Sequence, residues 1–231
     1  MWRRADLAAA LLAGLAAGAG AAWAHDAPVL GDEFVKGVFS PNFVAPAAGS
    51  YELPAVKRVA GFVLRDSTGR SVSTERVTAG KVAVVSFIYT ACPDRLGCPL
   101  ASQALQNLQG RLKDEGLSRD VALLSISFDP GRDGPGQLAK YARVYGADPT
   151  LWRFMTAPSM RVLGDMLESY GQDRSPVYDE RGRFTGRYSH VLKVFLVDRA
   201  GDIRNVYSAG FLVPDVVVND IKTVLTGHAR D

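Results

Sequence analysis

The sequence predicts an α/β fold, a mixed β-sheet flanked by helices. Three observations carry this. Short apolar, β-branched runs at 82–89, 121–128 and 191–197 alternate with stretches of helical spacing. The last run is followed by a turn and another strand rather than by a helix, so the sheet ends in an antiparallel hairpin. With 47% hydrophobic residues, the 231-residue chain can bury one core, as a single domain with some decoration.

The elements follow in order. Val59 to Leu64 and Ser71 to Ser73 flank the turn cluster Asp66-Ser67-Thr68-Gly69 and read as a hairpin. Val82 to Tyr89 is mostly apolar, which fits a strand covered on both faces. Leu100 to Leu117 has apolar residues at 101, 104, 105, 108 and 112, a helix that stops near Gly116. Val121 to Phe128 is a second buried strand, ending at Asp129-Pro130. Leu138 to Tyr145 reads as a helix closed by Gly146, Leu151 to Met155 as a short strand or edge, and Met160 to Tyr170 as a further helix. Gly171 to Ser189 shows no period and mixed charge, and reads as a long loop, either solvated or functional. Val191 to Val197, a turn at Asp198–Asp202, and Ile203 to Tyr207 form the terminal hairpin, and Asp215 to Leu225 the closing helix. This is the layout of a thioredoxin-like domain, whose ligand sites gather at the carboxyl ends of the central strands.

The ends speak of export. Arg3 and Arg4 precede an Ala/Leu/Gly run from Leu7 to Ala22, and Ala22-Trp23-Ala24 is an A-x-A site. The run is short for a membrane span, so residues 1–24 read as a signal peptide, with an uncleaved anchor as the alternative. The expected location is a periplasm, free or tethered to the inner membrane and facing the periplasm. Residues 25–57, rich in Pro, Gly and Ala, read as an irregular leader, either laid across the domain or mobile, and 58–231 as the domain. Beyond the signal, 25 basic and 23 acidic side chains are too balanced for a nucleic-acid partner, and no basic stripe with interleaved aromatics is present.

The only two cysteines, Cys92 and Cys98, lie on the loop between the first buried strand and its helix. With His190, at the start of a strand, they are the chemical candidates. Two thiolates and an imidazole suit copper, as Cu(I) or Cu(II), whereas a structural zinc site wants a fourth ligand. A redox reading stands beside it: a thiolate near a helix N-terminus gains from the dipole, which makes Cys98 the better stabilised thiol and Cys92 the more exposed one. The bland reading is a structural staple, weakened because a disulfide closing seven residues removes little loop entropy. His190 read blandly is a packed, inert histidine. Asp129 points toward the same sheet edge and reads as an acceptor that orients a ligand or tunes a thiol, or simply as a turn residue. His25 becomes the N-terminal residue after cleavage and could chelate copper through amine and imidazole. His228, at the end of the last helix, reads as a cap.

Four segments resemble the Sco/SenC family of thioredoxin-like copper proteins: VVSFIYTACPDRLGCPLA, SISFDPGRDGPGQLAKYARVYGAD, LWRFMTA and YSHVLKVFLVDRAGDIRNVY. They keep their order across roughly residues 45–227. The resemblance implies an exported, often membrane-tethered protein that binds copper through two Cys and one His, here Cys92, Cys98 and His190. It also implies a copper-receiving partner, such as the cytochrome c oxidase subunit that carries the dinuclear copper centre, and a thiol–disulfide reductant. Asp129 would stand in the surrounding shell. The sequence departs from the family pattern at one place: Cys-Pro-Asp-x-Cys-Pro is lengthened by two residues, giving Cys92-Pro93-Asp94-Arg95-Leu96-Gly97-Cys98-Pro99. The primary expectation is a copper metallochaperone, a carrier rather than an enzyme. The alternative is a thiol–disulfide oxidoreductase that acts on partner cysteines.

Overall fold

The computed structural model describes residues 43–208 and 211–227. The expected signal segment, most of the leader, His25 and His228 lie outside the described residues. The elements are β1 (Lys57–Arg58), β2 (Val63–Asp66), β3 (Ser71–Ser73), α1 (Thr74–Thr78), β4 (Val82–Ile88), α2 (Cys98–Asp114), β5 (Val121–Ser127) and α3 (Pro135–Val144). They continue with β6 (Trp152–Thr156), α4 (Met160–Tyr170), β7 (Ser175–Tyr178), β8 (Phe184–Ser189), β9 (Val194–Val197), β10 (Asp202–Tyr207) and α5 (Pro214–Gly227).

Eight strands form one mixed sheet in the order β1-β10-β9-β4-β5-β6-β2-β3. Its centre is parallel, with Val82 opposite Val121 and Leu123 opposite Trp152. β9 runs antiparallel against β4, with Val85 opposite Phe195. Every residue of β4 and β5 is buried, as their unbroken apolar runs require of strands covered on both sides. Both parallel crossovers advance the same way across the sheet, so right-handed connections put α2 and α3 on one face. There the Tyr141 ring of α3 meets Phe154, Ser102 of α2 meets the Tyr141 hydroxyl, and α5 packs beside α2. On the opposite face Tyr170 of α4 lies edge-on to Phe87 and Phe195. The two layers complete the thioredoxin-like arrangement.

The structure decides between alternatives in two places and corrects an expectation in a third. Of the two readings of 151–155, the short strand holds and the edge does not: Arg65 and Asp66 of β2 pair with Thr156 and Met155 of β6, and β3 takes the outer position. The stretch expected to be a loop over 171–189 contains a two-stranded hairpin, β7 with β8, separate from the main sheet. Residues 43–57 are tied down: the Asn219 amide donates to the Pro46 carbonyl at 2.8 Å, and the Arg204 guanidinium to the Leu53 carbonyl at 2.5 Å. Tyr51 donates to the buried Asp220 carboxylate, which also accepts from Asn205 and Tyr207. The last residues before the domain thus dress its β10–α5 edge.

Candidate metal centre

The cysteine loop leaves the carboxyl end of β4 and re-enters structure at α2. Its second residue, Thr90, is held from below. The Thr90 amide and hydroxyl both donate to the Asp133 carboxylate, at 2.9 and 2.6 Å, and Ser127 donates to it at 2.7 Å. Asp133 is only 1% exposed, and burial raises its pKa. The inserted residues close the loop locally. The Leu96 and Gly97 amides donate to the Asp94 side chain and carbonyl, at 2.9 and 3.1 Å. A methyl group at Gly97 would sit 3.4 Å from Cys92 Sγ, an ordinary contact, so the loop has room there for a small side chain but not for a large one.

The thiols are free. Cys98 opens α2 and is fully buried, its sulfur accepting from the Tyr89 amide at 3.5 Å. Cys92 is half-buried and points at the Asp94 carbonyl, 3.7 Å away. His190 follows β8 directly, and its Nε2 lies 3.9 Å from Cys98 Sγ. Phe128 and Tyr89 pack edge-on against the imidazole, with centroids 4.8 and 6.1 Å away. Two candidates 92 positions apart in the chain therefore meet at the sheet edge.

The electrostatics reverse one expectation. The hydrogen bond with Cys98 is the largest influence on Cys92 and, with backbone donors, brings its pKa down to about 6 against the pull of burial. Burial pushes Cys98 well up, and the neighbouring Cys92 adds to this. The pair therefore holds one proton on Cys98, and Cys92 is the thiolate. The helix terminus does not make Cys98 the acidic thiol, because a sulfur with no water contact loses more solvation than the dipole returns. Burial lowers the His190 pKa, which keeps the ring neutral with a lone pair available.

Soft donors separated in this way fit a soft metal ion. Bonds of about 2.3 Å to sulfur and 2.0 Å to nitrogen, bent around one ion, span roughly 3.7 Å. Among the described residues, no group of three or more His, Cys, Asp and Glu side chains is already closed as a cage. Cys92 has to turn from the Asp94 carbonyl to join the other two.

Asp129, expected near the ligands, reaches them only indirectly. Its carboxylate pairs with Arg132 and accepts from the Tyr188 hydroxyl at 3.2 Å, two residues before His190. Sequence reasoning overlooked Asp133 and Arg132, although both stand in the Arg-Asp pair of the second resembling segment. What marks them is long-range hydrogen bonding, which no local pattern displays.

The SCO1/SenC family model matches residues 52–226. The chain belongs to the SCO1/SenC family. Two relatives agree with this. A SCO1 protein homolog of Bacillus subtilis is 29% identical over 175 residues, 75% of this chain and 86% of the relative. A protein of Stutzerimonas stutzeri described as copper-binding is 34% identical over 163 residues, 71% of this chain and 75% of the relative. Among solved structures, BsSco superposes with a TM-score of 0.61 at 27% identity, covering 78% of this SCO1/SenC chain and 99% of its own. BsSco is described as a member of the Sco family of cytochrome c oxidase assembly proteins, and a disulfide switch has been identified in it.

Proposed function

We propose that this SCO1/SenC protein is an exported copper metallochaperone that carries one ion on Cys92, Cys98 and His190. The observation that carries the reading is the 3.9 Å approach of Cys98 Sγ and His190 Nε2, at the end of the loop that also holds Cys92. A neutral imidazole, a preformed thiolate and one proton to lose on Cys98 are what a soft cation needs in order to bind. Cys92, the less buried of the two thiols, is the first to take the cargo and the first to pass it, by ligand exchange, to a Cys/His site of a partner. By analogy with BsSco, that partner is a cytochrome c oxidase subunit. The N-terminal signal segment, residues 1–24, delivers the domain to the periplasm, free or tethered, and no helix among the described residues is long and apolar enough to cross a membrane.

The test is an anaerobic titration of the fully reduced protein with Cu(I) against a competing chelator, with thiols counted before and after. One copper that protects both thiols and is held more weakly by His190→Ala is expected. Equal binding by His190→Ala and the parent would end the three-ligand reading.

A second reading rests on the acidity of Cys92. Its thiolate attacks a partner disulfide, forming a mixed disulfide and releasing one partner thiolate. Cys98 then attacks Cys92, which leaves a Cys92–Cys98 disulfide and a fully reduced partner. This reading predicts metal-free reduction of a disulfide peptide, with His190→Ala altering the rate alone.

A further inference from the structure

The hairpin β7–β8 stands outside the main sheet, yet His190 follows it directly, so whatever holds the hairpin sets the imidazole. The hydrogen bonds that run from β8 to the 129–132 turn end on a single ion pair. Arg132 Nε pairs with Asp129, and Arg132 Nη2 donates to the Gly186 carbonyl at 2.5 Å. The other Asp129 oxygen accepts from the Tyr188 hydroxyl. The Arg132 guanidinium also lies over the rings of Phe184 and Tyr188, at 5.6 and 5.9 Å. Gly186 has φ +81, and a Cβ there would come 2.8 Å from Arg132 Nη1, so a glycine is what permits the approach.

A second guanidinium, that of Arg174, also lies over the Tyr188 ring, 4.5 Å from its centroid. The edges Tyr188 presents to Tyr89 and Phe128 meet the same two rings that pack on His190. Residues two apart on an extended chain project to the same side, so fixing the Tyr188 ring fixes the direction of the imidazole that follows.

We infer that Arg132 is a positioning residue: through Gly186, Asp129 and Tyr188 it clamps the hairpin so that His190 meets Cys98. The inference rests on the copper reading for its consequence, but not for the clamp itself. Arg132 touches none of the three proposed ligands. Its fork-shaped guanidinium reaches a carboxylate and a carbonyl together, which a lysine ammonium cannot reproduce in full.

The experiment compares the parent with Arg132→Ala, Arg132→Lys and Gly186→Ala, each with and without His190→Ala. In the metal-free protein, amide hydrogen exchange over 184–190 is expected to quicken about tenfold in Arg132→Ala, with β4 and β5 unchanged and Arg132→Lys in between. Copper affinity is expected to fall about tenfold in Arg132→Ala and in Gly186→Ala. The nitrogen hyperfine pattern of the Cu(II) form should weaken in parallel. With His190→Ala already present, the same changes should add nothing further. Unchanged exchange over 184–190 in Arg132→Ala would overturn the clamp. So would an equal copper penalty with and without His190. If parent and His190→Ala bind copper alike, the copper reading falls, while the exchange rates still decide whether Arg132 holds the hairpin.

Discussion

Replacing Asp133 tests how firmly the cysteine loop is seated. The carboxylate accepts from the Thr90 amide, the Thr90 hydroxyl and the Ser127 hydroxyl, all within 2.9 Å. In Asp133→Ala the two hydroxyls keep the bonds they accept, Ser127 Oγ from the Asp129 amide and Thr90 Oγ1 from Gln137, and each is free to rotate its own proton toward another acceptor. The Thr90 amide has no such freedom. One stranded donor costs about 1–3 kcal/mol, and losing hydrogen bonds to a charged acceptor adds to it, against relief from burying a carboxylate. The expected loss is about 3 kcal/mol, or roughly 8 °C in Tm for a domain of this size. Asp133→Asn keeps acceptors for part of the network and should lose about 1 kcal/mol. Burial raises the folded Asp133 pKa above its ordinary 3.8, so the native state holds this proton more tightly than the unfolded chain does. Its contribution is then full below 3.8 and is lost as pH rises through the higher folded value. The disadvantage of Asp133→Asn should therefore be greatest in acid and narrow toward neutrality. Urea unfolding across a pH series reads both effects, and copper affinity should fall with the loosened Thr90. A loss under about 1 kcal/mol for Asp133→Ala, or a gap to Asp133→Asn that widens with pH, would refute the reasoning.

Other perturbations probe the neighbourhood. Alkylation of Cys92 should follow a titration centred at about 6 and move toward the ordinary 9.0 in Cys98→Ala, because the Cys98 hydrogen bond is the largest cause of the depression. With its folded pKa below its unfolded one, Cys92 contributes stability fully above 9.0, and this is lost as pH falls toward about 6; unfolding of Cys92→Ala beside the parent measures it. Gly97→Ala should be tolerated at a 3.4 Å contact with Cys92 Sγ, whereas Gly97→Leu should lower copper affinity while circular dichroism stays unchanged. Tyr51→Phe removes a donor to the buried Asp220 and should cost about 1–2 kcal/mol in thermal unfolding, with copper binding unaffected.

Sequence alone determined the elements whose cause is local. β4 and β5 were legible because both of their faces are buried, which leaves runs with no polar interruption. α4 is bounded as expected, by the Ser159 side chain accepting from the Val162 amide and by Gly171 at φ +64. The family was legible from four short segments in order. The hairpin β7–β8 was not: most of its residues face solvent, so no apolar alternation was imposed for a reader to find. Only the tertiary structure brought His190 to Cys98, made Cys92 rather than Cys98 the acidic thiol, and gave Asp133 and Arg132 their places beneath and beside the loop. Each of these depends on burial or on hydrogen bonds between segments far apart in the chain, and a side chain's desolvation is a property of its surroundings, not of its neighbours in sequence.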